Sequence, residues 1–174
     1  MKILALILAS AVAVLAQDPT ALTAAGCGPN DVKFDVKTTD DRPSARPENG
    51  KALVYVIEEF LETGCVGGGC SAIVRTGVDG NWIGAAKGDS FFSFALEPGE
   101  HNICGGWQVS RKWSPYSISA MSFTAETGKT YYFLAKVTRR TDDQTARLKL
   151  EKIDNAEGQA LISTRKRSNF SRKK

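Results

Sequence analysis

The sequence predicts an all-β fold: a single β-sandwich of about eight short, mostly antiparallel strands, then a short C-terminal helix and a disordered basic tail. Three observations carry this. Short runs rich in β-branched and aromatic residues recur along the body, most of them alternate apolar with polar residues, and clusters of Gly, Pro, Asn and Asp punctuate them. A chain of 174 residues with ordinary apolar content has room for one such domain and one core.

Taken in order, residues 17–50 form an N-terminal extension with one strand, since Lys33 to Lys37 alternates polar and apolar while 38–50 has the Pro- and Asp-rich chemistry of a loop. The sandwich spans 51–163. Ala52 to Ile57 is a continuous apolar run suited to a central strand buried on both faces. Ser71 to Val78 is the next strand, and Asp79-Gly80-Asn81 turns the chain into a return beginning at Trp82. In 90–96, Phe92, Phe94 and Leu96 share a face, and Glu97-Pro98-Gly99-Glu100 closes the strand as a turn. Strands follow at 101–109, at 120–125 with Met121, Phe123 and Ala125 inward, and at 130–137 with Tyr131, Phe133, Ala135 and Val137 on one side. Residues 146–153 turn Leu148 and Leu150 inward, and 155–162 reads as a short helix capped by Asp154 or Asn155. Residues 164–174 have little to bury and are expected to be disordered.

The N-terminus has the form of a signal peptide over residues 1–16. Lys2 supplies positive charge, 3–15 is apolar or small, and cleavage is expected after Ala16. The mature chain is therefore expected to be secreted or to reside in the periplasm or cell envelope, with no transmembrane span. Ala24-Ala25-Gly26-Cys27 offers a competing reading in which Cys27 is lipidated, but Asp18, Pro19 and Thr20 separate it from the apolar run. The net charge of +4 is concentrated at the C-terminus: without Lys2, Arg165, Lys166, Arg167, Arg172, Lys173 and Lys174 the remainder is at about −3.

Four cysteines in an exported chain read as two disulfides, with three possible pairings. Cys65 and Cys70 enclose a Gly-rich loop that can bend back on itself, which leaves Cys27 with Cys104 as a closure pinning the N-terminal segment to the body. Zinc is the other use of four thiols, but the chain has no C-x-x-C pair and an oxidising compartment favours disulfides.

Three further segments occur in a recognisable order: Val78-Asp-Gly-Asn-Trp-Ile-Gly84, Glu97-Pro-Gly-Glu-His-Asn-Ile103 and Thr127-Gly-Lys-Thr-Tyr-Tyr-Phe133, preceded by Lys51-Ala-Leu-Val-Tyr-Val56. This order resembles the bacterial exported and lipoprotein family known as domain of unknown function 2846, over roughly residues 51 to 153. The middle portion is similar to the PEGA-type surface module as well. The resemblance implies a small β-sandwich of the bacterial envelope and brings no activity, substrate or catalytic residue. The four cysteines and the basic tail depart from the family pattern.

No catalytic, cofactor-binding or metal-binding constellation stands out. His101 is the only histidine and sits at a strand entry, where a hydrogen bond to backbone is its expected role. Glu58-Glu59 and Asp142-Asp143 read as strand-end or loop charges rather than a glycosidase-like pair. Gly64 to Cys70 lacks the Gly-Lys-Ser/Thr ending of a phosphate loop. Trp82, Trp107, Trp113 and Tyr116 are the candidate partner-binding aromatics, weighed against a role in capping the core. Arg165, Lys166, Arg167, Arg172, Lys173 and Lys174 are candidates for binding anionic surfaces.

The expected function is that of a non-enzymatic binding or structural module meeting a cell-envelope component or a protein partner, with no specific nucleic acid. The alternatives are a secreted hydrolase whose carboxylates meet only in the fold, and a protease-inhibitor-like binder using the 65–70 loop.

Overall fold

The computed structural model describes residues 25–41, 45–63, 72–108, 118–140 and 146–174. Among these residues, ten strands and one helix follow one another: β1 (Phe34–Thr39), β2 (Ala52–Thr63), β3 (Ile73–Val78), β4 (Asn81–Lys87), β5 (Ser90–Leu96), β6 (Gly99–Trp107), β7 (Ile118–Ala125), β8 (Thr130–Arg140), β9 (Ala146–Ile153), α1 (Asn155–Thr164) and β10 (Lys166–Arg172). They build a six-stranded sheet, ordered β1-β10-β5-β2-β8-β9, and a four-stranded sheet, ordered β4-β3-β6-β7. The all-β class holds. Most neighbours are antiparallel, while β2–β8 and β10–β5 are parallel.

β2 occupies the middle of the larger sheet, as its unbroken apolar run requires. Ala52, Val54 and Val56 face the inter-sheet core with Val74, Ile103, Phe92, Phe123, Phe133 and Leu148. Leu53, Tyr55 and Ile57 face the other way and join Phe91, Tyr132 and Leu134 in a layer packed by Leu161 and Ile162 of the helix. Asp154 caps α1 by accepting from the Glu157 amide at 2.8 Å, a cap written in the Asp-x-x-Glu spacing. The expected side-chain alternation of β5, β7, β8 and β9 appears in the core: Phe92, Phe123, Ala125, Tyr131, Phe133, Ala135, Val137, Leu148 and Leu150 all belong to it.

The hairpin joining β3 to β4 turns through Asp79 and Gly80, whose φ values of 49° and 80° are both positive. That pairing of left-handed residues matches the right-handed strand twist, and Asp-Gly meets it at little cost. The two sheets also meet at their margins. On one side the Leu150 amide of β9 donates to Ser119 Oγ of β7 at 2.9 Å. On the other, Arg172 of β10 donates to the Trp82 carbonyl of β4 at 3.1 Å.

Two expectations are corrected. The C-terminal basic residues are not a disordered tail: Lys166–Arg172 is strand β10, paired antiparallel with β1 and parallel with the start of β5. The sandwich therefore does not stop at 163, and the strand at 34–39 is integral to the larger sheet. The physical reason is tertiary. The open edges of β5 and β1 supply backbone partners that a polar strand can satisfy without any hydrophobic run of its own.

Candidate functional site

One end of the sandwich gathers most of the strand termini that lead into long connections. β2 and β8 finish side by side, Thr63 opposite Arg140, and β9 starts at Ala146 opposite Arg139. β6 finishes at Trp107 opposite Val74, and β7 starts at Ile118 opposite Gly106. The Gly88–Asp89 turn between β4 and β5 ties that end of the small sheet to the same end of the large one. Segments 64–71, 109–117 and 141–145 thus all connect strands at this end.

A charge cluster built from distant parts of the chain sits here. Arg165, at the end of α1, places Nη2 2.9 Å from Glu59 Oε1 and Nη1 2.6 Å from Asp89 Oδ1, and Nη1 also donates to the Glu58 carbonyl at 2.9 Å. Lys136 of β8 approaches Glu59 at 3.7 Å and Glu151 at 3.2 Å. The cluster ties the central strand, the β4–β5 turn and the start of β10 to one guanidinium. Its planar fork makes several donors available at fixed geometry.

Glu58, next to Glu59, points to the opposite face because strand side chains alternate. It lies in line with Val54 and Val56 and is fully buried, with no hydrogen-bond partner for either carboxylate oxygen among the described residues. Burial drives its pKa well above the ordinary carboxyl range. The Gly88 and Val74 amides favour the anion without reaching hydrogen-bond geometry, and the Asp89 charge opposes it. The reading of Glu58 as a strand-end charge is therefore corrected, because β2 runs on to Thr63. The alternation itself was the available signal: Val54, Val56, Glu58 and Phe60 share a face. Glu59 and Asp89 are held by Arg165 while Glu58 faces the interior, so these three acids do not converge on a common cleft.

The N-terminal segment is fastened over the outer face of the small sheet. Cys27 and Cys104 are joined in a disulfide, with Cα atoms 5.1 Å apart, as the sequence suggested. Arg75 of β3 is buried beneath the segment, donating through Nη1 to the carbonyls of Val32 at 2.6 Å and Asn30 at 3.2 Å. Its guanidinium lies 4.3 Å from the centre of the Trp82 ring, and Trp82 Nε1 donates to the Pro29 carbonyl at 2.6 Å. Composition gave no hint that Arg75 is a core residue; the strap laid over it supplies acceptors at Asn30 and Val32.

Trp82 and Trp107 are thus not surface aromatics. Each is buried, Trp82 beside the disulfide and Trp107 in the inter-sheet core. Trp113, Tyr116, Cys65, Cys70, Asp142 and Asp143 lie outside the described residues. Of the basic residues, Arg165 belongs to the charge cluster, Arg172 binds the Trp82 carbonyl and Lys173 pairs with Asp35 at 2.9 Å. Lys166 sits 3.8 Å from Asp40, Arg167 is half-buried and Lys174 is exposed.

At the opposite end, His101 does more than bond backbone. Its Nδ1 lies 2.6 Å from Asp79 Oδ2 and its Nε2 2.8 Å from the Glu97 carbonyl. The other Asp79 oxygen accepts from the Asn102 amide at 2.9 Å. With an acceptor facing each ring nitrogen, the imidazolium is favoured. Burial alone would lower the His101 pKa, but the Asp79 and Glu97 bonds and the Asp79 charge carry it above the usual 6.5. Burial likewise opposes ionisation of Asp79, yet the Asn102 amide and His101 hold its pKa below 3.8. The His101 contribution is complete below its unfolded pKa and is lost as pH rises through the raised folded value. That of Asp79 is present above its unfolded pKa and is lost as pH falls through the depressed one. Stability should therefore fall by up to about 1 kcal/mol between about pH 6 and pH 8, a small figure because Asp79 is half-exposed. Thermal melts of wild type and His101→Asn across that range check this: the difference between them should close as pH rises.

No protein-family model matches the chain, and no curated protein is a significant relative of it. Among the described residues, no group of His, Cys, Asp and Glu has the arrangement of a metal site. No helix among them is long and apolar enough to cross a membrane.

Proposed function

We propose that the protein is a non-catalytic binding or structural module of an oxidising, extracytoplasmic compartment, either secreted or in the bacterial cell envelope. The observation that carries this reading is the common origin of the long connections. Segments 64–71, 109–117 and 141–145 join strands at a single end of a two-sheet body, the arrangement by which sandwich domains present binding loops on a rigid scaffold. Segment 109–117 carries Trp113 and Tyr116, residue types that supply large contact area at low entropic cost. The Cys27–Cys104 disulfide supports the compartment, since such bonds persist where thiols are oxidised. The resemblance to the exported family, the leader-like N-terminus and the cations of β10, which could add salt-dependent attraction to anionic surfaces, agree with it.

Retention on immobilised peptidoglycan, glycans and envelope extract tests the reading, using wild type beside a Trp113→Ala/Tyr116→Ala double variant. Retention of wild type that drops at least about tenfold in the variant is expected, two aromatic anchors together being worth more than 1.4 kcal/mol. Failure of wild type to bind any of these materials, or equal retention of both proteins, overturns it.

A further inference from the structure

β10 is reached by the longest excursion in the fold. α1 carries the chain from edge strand β9 past β8 and β2 to the far side of β5. β10 then runs beside β5 for only two residues, Lys166 opposite Ser90 and Arg167 opposite Phe91. Beyond these its ladder partner is β1 alone. Within residues 166–174, only Ser168 is buried.

Three side chains define its seat. Arg165 enters the Glu59 and Asp89 cluster, and the Ser168 hydroxyl lies 2.6 Å from that of Ser90. The Phe170 ring crosses those of Phe92 and Phe34 edge-on, at centroid distances of 5.1 and 5.7 Å. It fills a notch that exists because residue 84 is glycine: a Cβ there would stand 2.5 Å from the Phe170 ring and 2.7 Å from Phe92.

The outer wall of the seat, whose ladder partner is β10, also has contacts that do not involve it. Gln108 holds β1 by accepting from the Phe34 amide at 2.7 Å and donating to the Phe34 carbonyl at 2.8 Å. The segment ahead of β1 is fastened by the disulfide, Arg75 and Trp82. Both walls therefore keep some contacts of their own, and the occupant between them is an extended, mostly exposed strand. Main-chain bonds of this kind are open to any strand, with side-chain pockets supplying the selectivity. A segment burying so little apolar surface also opens locally at low cost.

We propose that the slot between β5 and β1 accepts residues 165–174 of a second copy of this chain, producing a dimer by reciprocal strand exchange. An incoming copy carries the same Arg165, Ser168 and Phe170 spacing, so the contacts of the slot recur in trans without a new interface. The backbone needs to change course only where α1 ends, at Thr164 and the extended Arg165. The exchange goes beyond the binding-module reading and does not rest on it.

Variants of the full chain with one added cysteine test the exchange. Ser90→Cys and Ser168→Cys each face a serine within their own chain, so a 90–168 disulfide between them requires one copy's strand in the other's slot. After mixing under mild oxidation, a covalent dimer of twice the monomer mass is expected, with the 90–168 link identified by peptide mapping. Ser168→Cys mixed with Glu100→Cys, an exposed position at the opposite end, reports random collision. A 90–168 yield no greater than this control overturns the proposal, provided the Ser90→Cys/Ser168→Cys double variant closes within one chain. Should that double variant fail to close, sedimentation equilibrium of the unmodified chain decides: a dimer fraction rising with concentration supports exchange, and a monomer at every concentration overturns it.

Discussion

Replacing Cys27 or Cys104 with serine is expected to destabilise the protein by about 4.5 kcal/mol. The bridged residues are 77 apart, and closing a loop of that length in the unfolded chain removes this much conformational freedom. The effect reaches further than one bond. Without the bridge, the segment over Arg75 is kept by hydrogen bonds to Asn30 and Val32, the Trp82–Pro29 bond and the turn contacts at residues 25–26. If the segment lifts, the guanidinium regains water, so part of the cost appears as local opening rather than global unfolding. Urea titration of wild type and variant should show a large drop in midpoint, and hydrogen exchange should show loss of protection around residues 75–78. A shift below about 1 kcal/mol would mean that the strap holds without its covalent anchor.

Glu58→Met should stabilise the protein at neutral pH by about 1–3 kcal/mol, an unusual sign for a core substitution. The wild-type carboxyl is wholly buried with both oxygens unpartnered, and Met fills comparable volume without a polar group. The pH dependence separates this from simple repacking. An acid whose folded pKa is raised costs nothing below its unfolded value. It then costs about 1.4 kcal/mol for each pH unit above that value, until the folded pKa is reached. Wild type should therefore lose stability as pH rises from about 5, while Glu58→Gln removes that slope and keeps the shape of the side chain. Chemical denaturation at several pH values reads both variants. A flat wild-type profile from about pH 5 to pH 6, below the His101 transition, would show that Glu58 is solvated.

Most of the strand framework was legible in the sequence. Each strand but the last overlaps a segment read as a strand, β4 as the return of the hairpin, and the Asp79-Gly80 turn and the Asp154 cap are local chemistry acting locally. The unbroken run at 52–57 announced a two-faced strand, and β2 is indeed covered by the opposing sheet on one side and α1 on the other. The candidate site was less legible. Trp82 and Trp107 read more readily as core caps than as binding aromatics, and only the N-terminal strap and the opposing sheet fix which way each side chain faces. Arg165 looked like one cation in a basic run, and became the centre of a cluster only through acids more than 70 residues away.

By itself, then, the sequence determined the all-β class, the places where the chain turns and the faces that most strands bury. All follow from the two-residue period of a strand and the backbone preferences of Gly, Pro, Asp and Asn. The tertiary structure alone decided that the basic C-terminus is a strand and that Arg75 is interior. Lys-Arg-Ser-Asn-Phe-Ser-Arg carries a single large apolar residue, so nothing local drives its order. It is ordered because β1 and β5 leave backbone groups to pair, Gly84 leaves a notch for Phe170, and Glu59 and Asp89 hold Arg165 at its start.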